Sequence, residues 1–140
     1  MKRSTLAGAS LALVVGSMAG PAWAQGAAQV TPAALLAEYT AKAGAPASAE
    51  RGQKLFNTNF GKEFGWSCAS CHGAMPTRNG KHEVSEKVIK PLAPAANPAR
   101  FTDRSQVEFY FKLNCRDVVG RECTAVEKAD MLSWLLTLKP

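Results

Sequence analysis

The chain has 140 residues, of which 20% are charged, and a formal net charge of +6. This length is typical of one domain. Hydrophobic residues make up 46% of the chain, with eleven Gly and eight Pro, a composition that excludes a collagen-like, an acidic disordered or a multi-span membrane protein. The positive charge raises the question of nucleic-acid binding.

The first 24 residues have the pattern of a secretory signal peptide. Two basic residues follow Met1, residues 6–19 carry no charge, and residues 22–24 (Ala-Trp-Ala) form the small-x-small sequence that signal peptidases cleave. The apolar run is shorter than the roughly 20 residues that a membrane-spanning helix needs, which disfavours a retained anchor. We therefore expect export to the periplasm and cleavage after Ala24 or Ala28. Cleavage after Ala24 leaves one domain over residues 25–140.

Two helices are predicted at the start of this domain. Thr31 before a proline is typical of a helix N-terminus, and it opens an Ala/Leu-rich helix over residues 32–43. After a Gly-Ala-Pro break, a second helix is expected over residues 48–57. In this second helix Gly52 exposes bare backbone one turn before Phe56.

The second half of the domain also predicts helices. Residues 73–102 contain several Pro and Gly, so most of the segment is expected to be irregular, with room for a short helix at residues 84–89. Asp103 can cap a helix over residues 104–114. A Thr-x-x-Glu capping box at residues 124–127 opens the last helix. Because no strand-like alternation of useful length occurs, the sequence predicts an all-α fold.

All four cysteines lie in the exported part, where an oxidising environment turns thiols into disulfides, thioethers or metal ligands. Cys68, Cys71 and His72 form the C-x-x-C-H pattern of covalent c-type haem attachment. In this spacing two thiols add across the two haem vinyl groups, and the adjacent histidine ligates the iron. The predicted cofactor is therefore one haem c.

Three other interpretations of the motif are weaker. A thioredoxin-like redox pair would need a surrounding βαβ pattern, which the sequence lacks. A structural zinc site would need a second ligand pair, yet Cys115 and Cys123 are separated by seven residues and His82 stands alone. A simple disulfide would leave His72 and the export signal unexplained.

The predicted helices and the motif together resemble a class I cytochrome c. In that family an N-terminal helix with a glycine and an aromatic residue one turn apart crosses a C-terminal helix that bears an aromatic residue. Gly52, Phe56 and Trp134 match this pattern. The resemblance implies the class I cytochrome c fold, with helices around one covalently attached haem and one additional N-terminal helix.

An electron-carrying member of that family has a methionine as sixth iron ligand, and this sequence departs from the pattern. Met75 is only three residues after His72, and Met131 falls inside the last helix, where core packing is the simpler interpretation. His82 falls in a Gly/Lys-rich stretch typical of a solvated loop. A conventional low-spin electron carrier with Met131 or His82 as sixth ligand remains the alternative.

Asn114 is a second candidate for the sixth position. Val107, Tyr110, Phe111 and Asn114 have helical spacing, which places a polar residue on an apolar face. Asparagine is also common at helix C-termini, so the spacing alone favours a purely structural cap.

Residues 97–103 and 114–124 resemble the sphaeroides haem protein family of class I cytochromes. This resemblance implies Asn114 as distal ligand, a disulfide between Cys115 and Cys123, a high-spin haem and the binding of small ligands such as dioxygen. An amide oxygen is a neutral, hard ligand that binds ferrous iron poorly. We therefore expect reduction to open the distal site to dioxygen, nitric oxide or carbon monoxide, with the amide NH2 as a hydrogen-bond donor. Small anions are further expected ligands of the site.

The remaining expectations concern the second coordination shell and the partners. His72 should donate its other ring N–H to a backbone carbonyl, with Pro91 as the candidate. The resemblance suggests a membrane-bound or dihaem cytochrome as electron donor, and Lys81, Lys87 and Lys90 could dock an acidic partner or simply be solvated.

An enzyme such as a peroxidase would need a distal acid or base, which Asn114 is not. Slow reduction of dioxygen or nitric oxide would not need one. Without the signal peptide the net charge falls to +4, and two haem propionates lower it to about +2. No basic stripe with interleaved aromatic residues is present, so nucleic-acid binding is not expected.

Overall fold

The structure is a computed structural model that describes residues 29–61 and 65–140. The predicted signal peptide and its cleavage sites lie outside these residues. The element order is α1 (Pro32–Ala43), α2 (Ala49–Asn57), α3 (Cys68–His72), β1 (Gly80–Lys81), β2 (Val88–Ile89), α4 (Arg104–Val119) and α5 (Ala125–Thr137). No helix in the described part of the chain is long and apolar enough to cross a membrane.

Side-chain caps begin the four longer helices, as the sequence predicted for Thr31, Asp103 and Thr124. The Thr31 hydroxyl accepts from the Ala34 amide at 3.1 Å, and an Asp103 carboxylate oxygen accepts from the Gln106 amide at 3.0 Å. Before α2, the Ser48 hydroxyl accepts the amide of Arg51. Since each cap pairs an amide that has no partner within its helix, local sequence chemistry determines where these helices begin.

α4 is longer than predicted. The expected end at residue 114 is wrong, because the buried stripe Val107, Phe111, Cys115 and Val119 continues at four-residue spacing. The helix ends at Gly120, which has a left-handed backbone with φ of 79° and donates its amide to the carbonyls of Cys115 and Arg116.

The short helix expected at residues 84–89 is also wrong. This segment forms an antiparallel hairpin in which Gly80 pairs with Ile89 and Lys81 with Val88. The His82 imidazole builds its turn, since Nδ1 accepts from the amides of Val84 and Ser85. A turn held by one side chain needs no hydrophobic period, so periodicity could not reveal it.

The core lies where α2 and α1 pack against α5. Leu35, Phe56, Leu132 and Leu135 are fully buried there, and Phe56 contacts Trp134 with ring centroids 4.9 Å apart and ring planes tilted by 54°. Gly52 permits the crossing, because a Cβ at this position would collide with the backbone carbonyl of Asp130. The predicted role of Gly52 as bare backbone at a close helix approach is confirmed.

Candidate functional site

The three residues of the C-x-x-C-H motif lie on one short helix, α3. Ser67 caps this helix, and its amide and hydroxyl exchange hydrogen bonds with Ser70 at 3.0 and 3.2 Å. Cys68 and Cys71 are half-buried and not disulfide-bonded. Burial raises the pKa of the Cys68 thiol to about 11. Two thiols and an imidazole are thus held together within about one and a half turns of helix.

His72 has a buried, uncharged imidazole that could ligate a metal. Its ring lies 6.2 Å from that of Phe56, and its Nδ1 is buried without a hydrogen-bond partner in the described part of the protein. Burial, followed by the charge of Arg100, lowers the pKa of His72 to about 4. The imidazole is therefore uncharged at neutral pH, the state in which histidine ligates a metal.

The hairpin is fixed directly on α3. A Cβ on Gly80 would collide with the carbonyl of Cys71 and come within 2.8 Å of the His72 Cα. The first strand of the hairpin therefore lies against the backbone of the haem-binding motif, so closely that only glycine fits at position 80.

Asn114 lies inside α4, five residues before the helix ends, and its side chain is exposed. The interpretation of Asn114 as a C-terminal cap is therefore wrong, since Gly120 has that position. Phe109, Tyr110 and Leu113 next to it are 60%, 49% and 43% exposed. We call Phe109, Tyr110, Leu113 and Asn114 the outer face of α4, and it offers an amide group set among uncovered apolar side chains.

The residues present fit a covalently held haem. α3 carries two thiols at the spacing of the two haem vinyl groups, and a neutral imidazole whose Nδ1 is buried and unpaired. The outer face of α4 adds exposed apolar side chains and one amide group. The positive charge of Arg100 lowers the pKa of the His72 imidazole, in addition to the larger effect of burial. A flat apolar cofactor with a ligand on each face needs this combination of groups.

The carbonyl of Pro91, predicted as acceptor for His72, already has two donors. Asn97 Nδ2 lies 3.2 Å from it and Arg100 Nε 2.9 Å, while Arg100 Nη2 donates to the Lys90 carbonyl at 2.7 Å. The bond from His72 to Pro91 stays a prediction. The contacts of Arg100 could not be predicted from the sequence, because nothing in its local pattern distinguishes an arginine that binds backbone carbonyls from a surface arginine.

The alternative sixth ligands lie in other environments. Met131 is 6% exposed within the core cluster, and Met75 is exposed. His82 is exposed in the hairpin turn, where its Nδ1 is already an acceptor. These positions favour core packing for Met131 and a structural role in the turn for His82.

A disulfide joins Cys115 in α4 to Cys123, which precedes α5, with Cα atoms 5.6 Å apart. The disulfide that the family resemblance implied is confirmed. No cluster of three or more His, Cys, Asp or Glu suited to a metal ion occurs in residues 29–61 and 65–140, so the zinc interpretation has no second ligand pair there.

The chain is similar to known c-type cytochromes. Residues 42–135 match the family described as domain of unknown function DUF1924. The cytochrome c-type protein SHP of Cereibacter sphaeroides is 51% identical over 120 residues, which are 84% of this chain and 90% of that protein. Cytochrome c'' of Methylophilus methylotrophus is 45% identical over 84 residues, 60% of this chain and 57% of that protein.

Solved structures show the same similarity. Oxidised SHP, described as an oxygen-binding cytochrome c, matches with a TM-score of 0.74 and 50% identity over 79% of this chain and 99% of that one. Oxidised cytochrome c'' matches with a TM-score of 0.73 and 37% identity, covering 78% and 95% of the two chains.

The fold is that of a class I cytochrome c, and the predicted cofactor class, one covalently attached haem, is confirmed. Within the c-type cytochromes, the chain belongs to the DUF1924 family and to the family of the cytochrome c-type protein SHP.

Proposed function

We propose that this protein is an exported, periplasmic one-haem cytochrome that accepts an electron and then binds a small ligand in the site that Asn114 vacates. Cys68 and Cys71 hold the haem, His72 is the proximal ligand and Asn114 the distal one. The observation that carries the proposal is the place of Asn114, exposed inside α4 among uncovered apolar side chains and five residues from the helix end.

The chemistry of Asn114 accounts for a site that opens on reduction. When bound, the haem supplies a one-electron iron centre with a sixth coordination position. The Asn114 amide oxygen is a neutral, hard donor that prefers the ferric state. On reduction the amide is released, and its NH2 group can then donate a hydrogen bond to a ligand that takes its place.

The ligand class follows from the site and from the relatives. Apolar side chains with a single amide donor suit an uncharged diatomic molecule, and SHP is described as oxygen-binding. We propose dioxygen, nitric oxide and carbon monoxide as ligands of the reduced protein, and small anions as ligands of the oxidised one.

The proposed electron donor is another cytochrome with an acidic face, either membrane-bound or dihaem. Residues 80–90 carry Lys81, Lys87 and Lys90, all exposed, on the hairpin that packs against α3. The same segment carries two exposed carboxylates, Glu83 and Glu86, and Glu86 pairs with Lys81 at 3.3 Å, so the net charge of the hairpin lysines and carboxylates is +1. Val84 and Val88 are also exposed there. Lysines around apolar side chains, next to the cofactor motif, suit a transient complex with an acidic protein.

Optical and electron paramagnetic resonance spectra of the holoprotein test the proposal. We expect a high-spin reduced spectrum that shifts when carbon monoxide is added, because Asn114 no longer occupies the sixth position. A low-spin reduced spectrum that carbon monoxide leaves unchanged would instead establish the alternative, an electron carrier with a permanent strong sixth ligand.

A further inference from the structure

The helix that carries Asn114 is held in place largely by individual side-chain contacts. α1 and α2 pack closely on α5, whereas no close helix pair in the described residues includes α4. One face of α4 instead carries four residues about one turn apart, Arg104, Glu108, Phe111 and Cys115. Arg104 forms an ion pair with Glu38 of α1, and Cys115 forms the disulfide with Cys123. The position of Asn114 therefore depends on what this face of α4 contacts.

Glu108 joins α4 to two other helices. Its Oε1 accepts a hydrogen bond from the Tyr39 hydroxyl of α1 at 2.8 Å, and its Oε2 accepts one from the Lys128 ammonium of α5 at 2.6 Å. Lys128 Nζ also lies 5.5 Å from the ring centroids of both Tyr39 and Phe111, within the range of a cation–π contact. We call Tyr39, Glu108 and Lys128 the three-helix link, because each residue comes from a different helix.

Tyr39 makes this link specific for one position of α4. The residue is 2% exposed, and burial, followed by the bond to Glu108, raises the pKa of its phenol, so the hydroxyl stays protonated. A buried hydroxyl that loses its acceptor is costly. Sliding or turning α4 would separate Glu108 from Tyr39, so this bond favours the observed position of the helix more strictly than apolar packing does.

The link acts on Asn114 through the geometry of one continuous helix. Glu108 is six residues before Asn114, which is about 9 Å along the helix axis, and the disulfide at Cys115 follows Asn114 directly. A helix attached at one point can pivot about that point. Attachment on both sides of Asn114 limits pivoting as well as rotation, and the additional N-terminal helix α1 supplies Tyr39 to one of the two attachments.

We propose that Tyr39 is a positioning residue for the distal site, which through Glu108 holds α4 where Asn114 can ligate the haem iron. This inference rests on the proposed function, in which Asn114 is the distal ligand. Breaking the link should let α4 move and weaken Asn114 as a ligand of ferric iron, so that an external anion displaces it more easily. The additional helix α1 thereby has a role in ligand binding as well as in the core.

Three variants of the haem-loaded protein test the link, with azide as the probe. Tyr39→Phe removes only the hydroxyl and keeps the ring beside Phe111, 5.9 Å between centroids. Glu108→Ala removes the acceptor, whose side chain is 42% exposed, and it decides the test if Tyr39→Phe does not fold. Thr40→Val is the matched control, because it removes the neighbouring hydroxyl on α1, which bonds only within that helix, to the Leu36 carbonyl at 2.8 Å.

We expect Tyr39→Phe and Glu108→Ala to raise the azide affinity of the ferric protein roughly threefold, the size of effect typical of a residue that acts on a site through its neighbours. Hydrogen exchange of the α4 amides, followed by mass spectrometry, should become faster in both variants, because it reports on the helix and not on the iron. Thr40→Val should leave both readouts at parental values. Parental azide affinity in Tyr39→Phe, or parental exchange throughout α4, would overturn the inference.

The double variant Tyr39→Phe/Asn114→Ala separates positioning of Asn114 from a general loosening of the haem pocket. If Tyr39 acts through Asn114, its hydroxyl has nothing to position once the amide is gone, and the azide affinity should equal that of Asn114→Ala. A further rise of roughly threefold in the double variant would show general loosening, and the inference would be wrong.

The single variant Asn114→Ala distinguishes failure of this inference from failure of the proposed function. Parental azide affinity in Asn114→Ala would refute the proposed function, and the inference would fail with it. A raised affinity in Asn114→Ala, together with parental affinity in Tyr39→Phe, would refute only the role of Tyr39.

Discussion

Asn114 and Cys115 are neighbours on α4 with opposite environments: the Asn114 side chain is exposed on the outer face, whereas Cys115 is buried and bonded to Cys123. Successive helical residues are about 100° apart around the helix axis, so the direction of the Cys115 side chain determines the direction of the Asn114 side chain. The disulfide therefore limits rotation of α4 at the residue proposed as distal ligand.

Removal of the disulfide should lower stability and loosen Asn114. For the double variant Cys115→Ala/Cys123→Ala we expect the free energy of unfolding to fall by about 2 to 3 kcal/mol, because the bridge closes a short loop in the unfolded chain. Denaturant unfolding of the haem-loaded protein measures this. If the bridge also orients Asn114, the ferric spectrum of the double variant should shift toward that of Asn114→Ala. An unchanged spectrum would show that the bridge affects only the stability of the protein.

Gly52→Ala should be one of the most damaging single-methyl changes in this protein. The new Cβ would collide with the Asp130 carbonyl, a backbone atom that cannot rotate away, so α2 and α5 would have to separate. We expect a loss of about 3 kcal/mol in unfolding free energy, at the upper end of the usual cost of overpacking. Gln53→Ala, exposed on the same helix, should change it by less than about 0.5 kcal/mol. Similar values for the two variants would show that the crossing is not close.

The sequence predicted the features that depend on local chemistry. Caps such as Thr31 and Asp103 act within three residues, and Gly52 before Phe56 belongs to a helix-crossing pattern, so these features were visible without a structure. The hairpin was missed because its strands have two residues each and its turn depends on His82. Arg100 was missed because its partners are backbone carbonyls brought close only by the folded loop.

Glu127 should contribute to the loss of stability in acid. The Arg121 guanidinium, which donates to both carboxylate oxygens at 2.6 and 2.8 Å, lowers the pKa of Glu127 below 4.5, although burial opposes this effect. A carboxylate with a lowered folded-state pKa stabilises the protein above its unfolded pKa, and this stabilisation is lost as pH falls through the folded value. The contribution should therefore be present at neutral pH and disappear below pH 4.5.

Glu127→Gln tests this pH dependence. Glutamine keeps the capping-box bond to the Thr124 amide but not the charge. Unfolding free energies between about pH 6 and about pH 3 should therefore fall less steeply for the variant, with a difference of at most about 1 kcal/mol for a surface pair. Glu83→Gln is the control for loss of one exposed carboxylate. Equal slopes for Glu127→Gln and the parent would contradict the prediction.

The hairpin lysines should direct electron transfer with charged reagents. We expect the triple variant Lys81→Gln/Lys87→Gln/Lys90→Gln to be oxidised by ferricyanide roughly threefold more slowly at low ionic strength, because the exposed Glu83 and Glu86 carboxylates of the hairpin are then no longer balanced by lysines and repel the anion. Salt should abolish the difference, and a cationic cobalt(III) oxidant should react faster. The control removes three lysines elsewhere, at positions 42, 54 and 139, and an equal slowing in that variant would refute a docking surface on the hairpin.

Substitutions of Asn114 test the distal site most directly. Asn114→Ala should leave the ferric site open, so its ferric spectrum should change and its azide affinity rise at least about tenfold, because no amide has to be displaced. Asn114→His should give a low-spin protein in both oxidation states that no longer binds carbon monoxide, since imidazole is a strong ligand for ferrous as well as ferric iron. The matched control is Asn57→Ala, which removes an exposed helical asparagine whose amide donates to the Gln53 carbonyl, and it should behave as the parent. If Asn114→Ala keeps the parental ferric spectrum and azide affinity, Asn114 is not the distal ligand, whatever its position on α4.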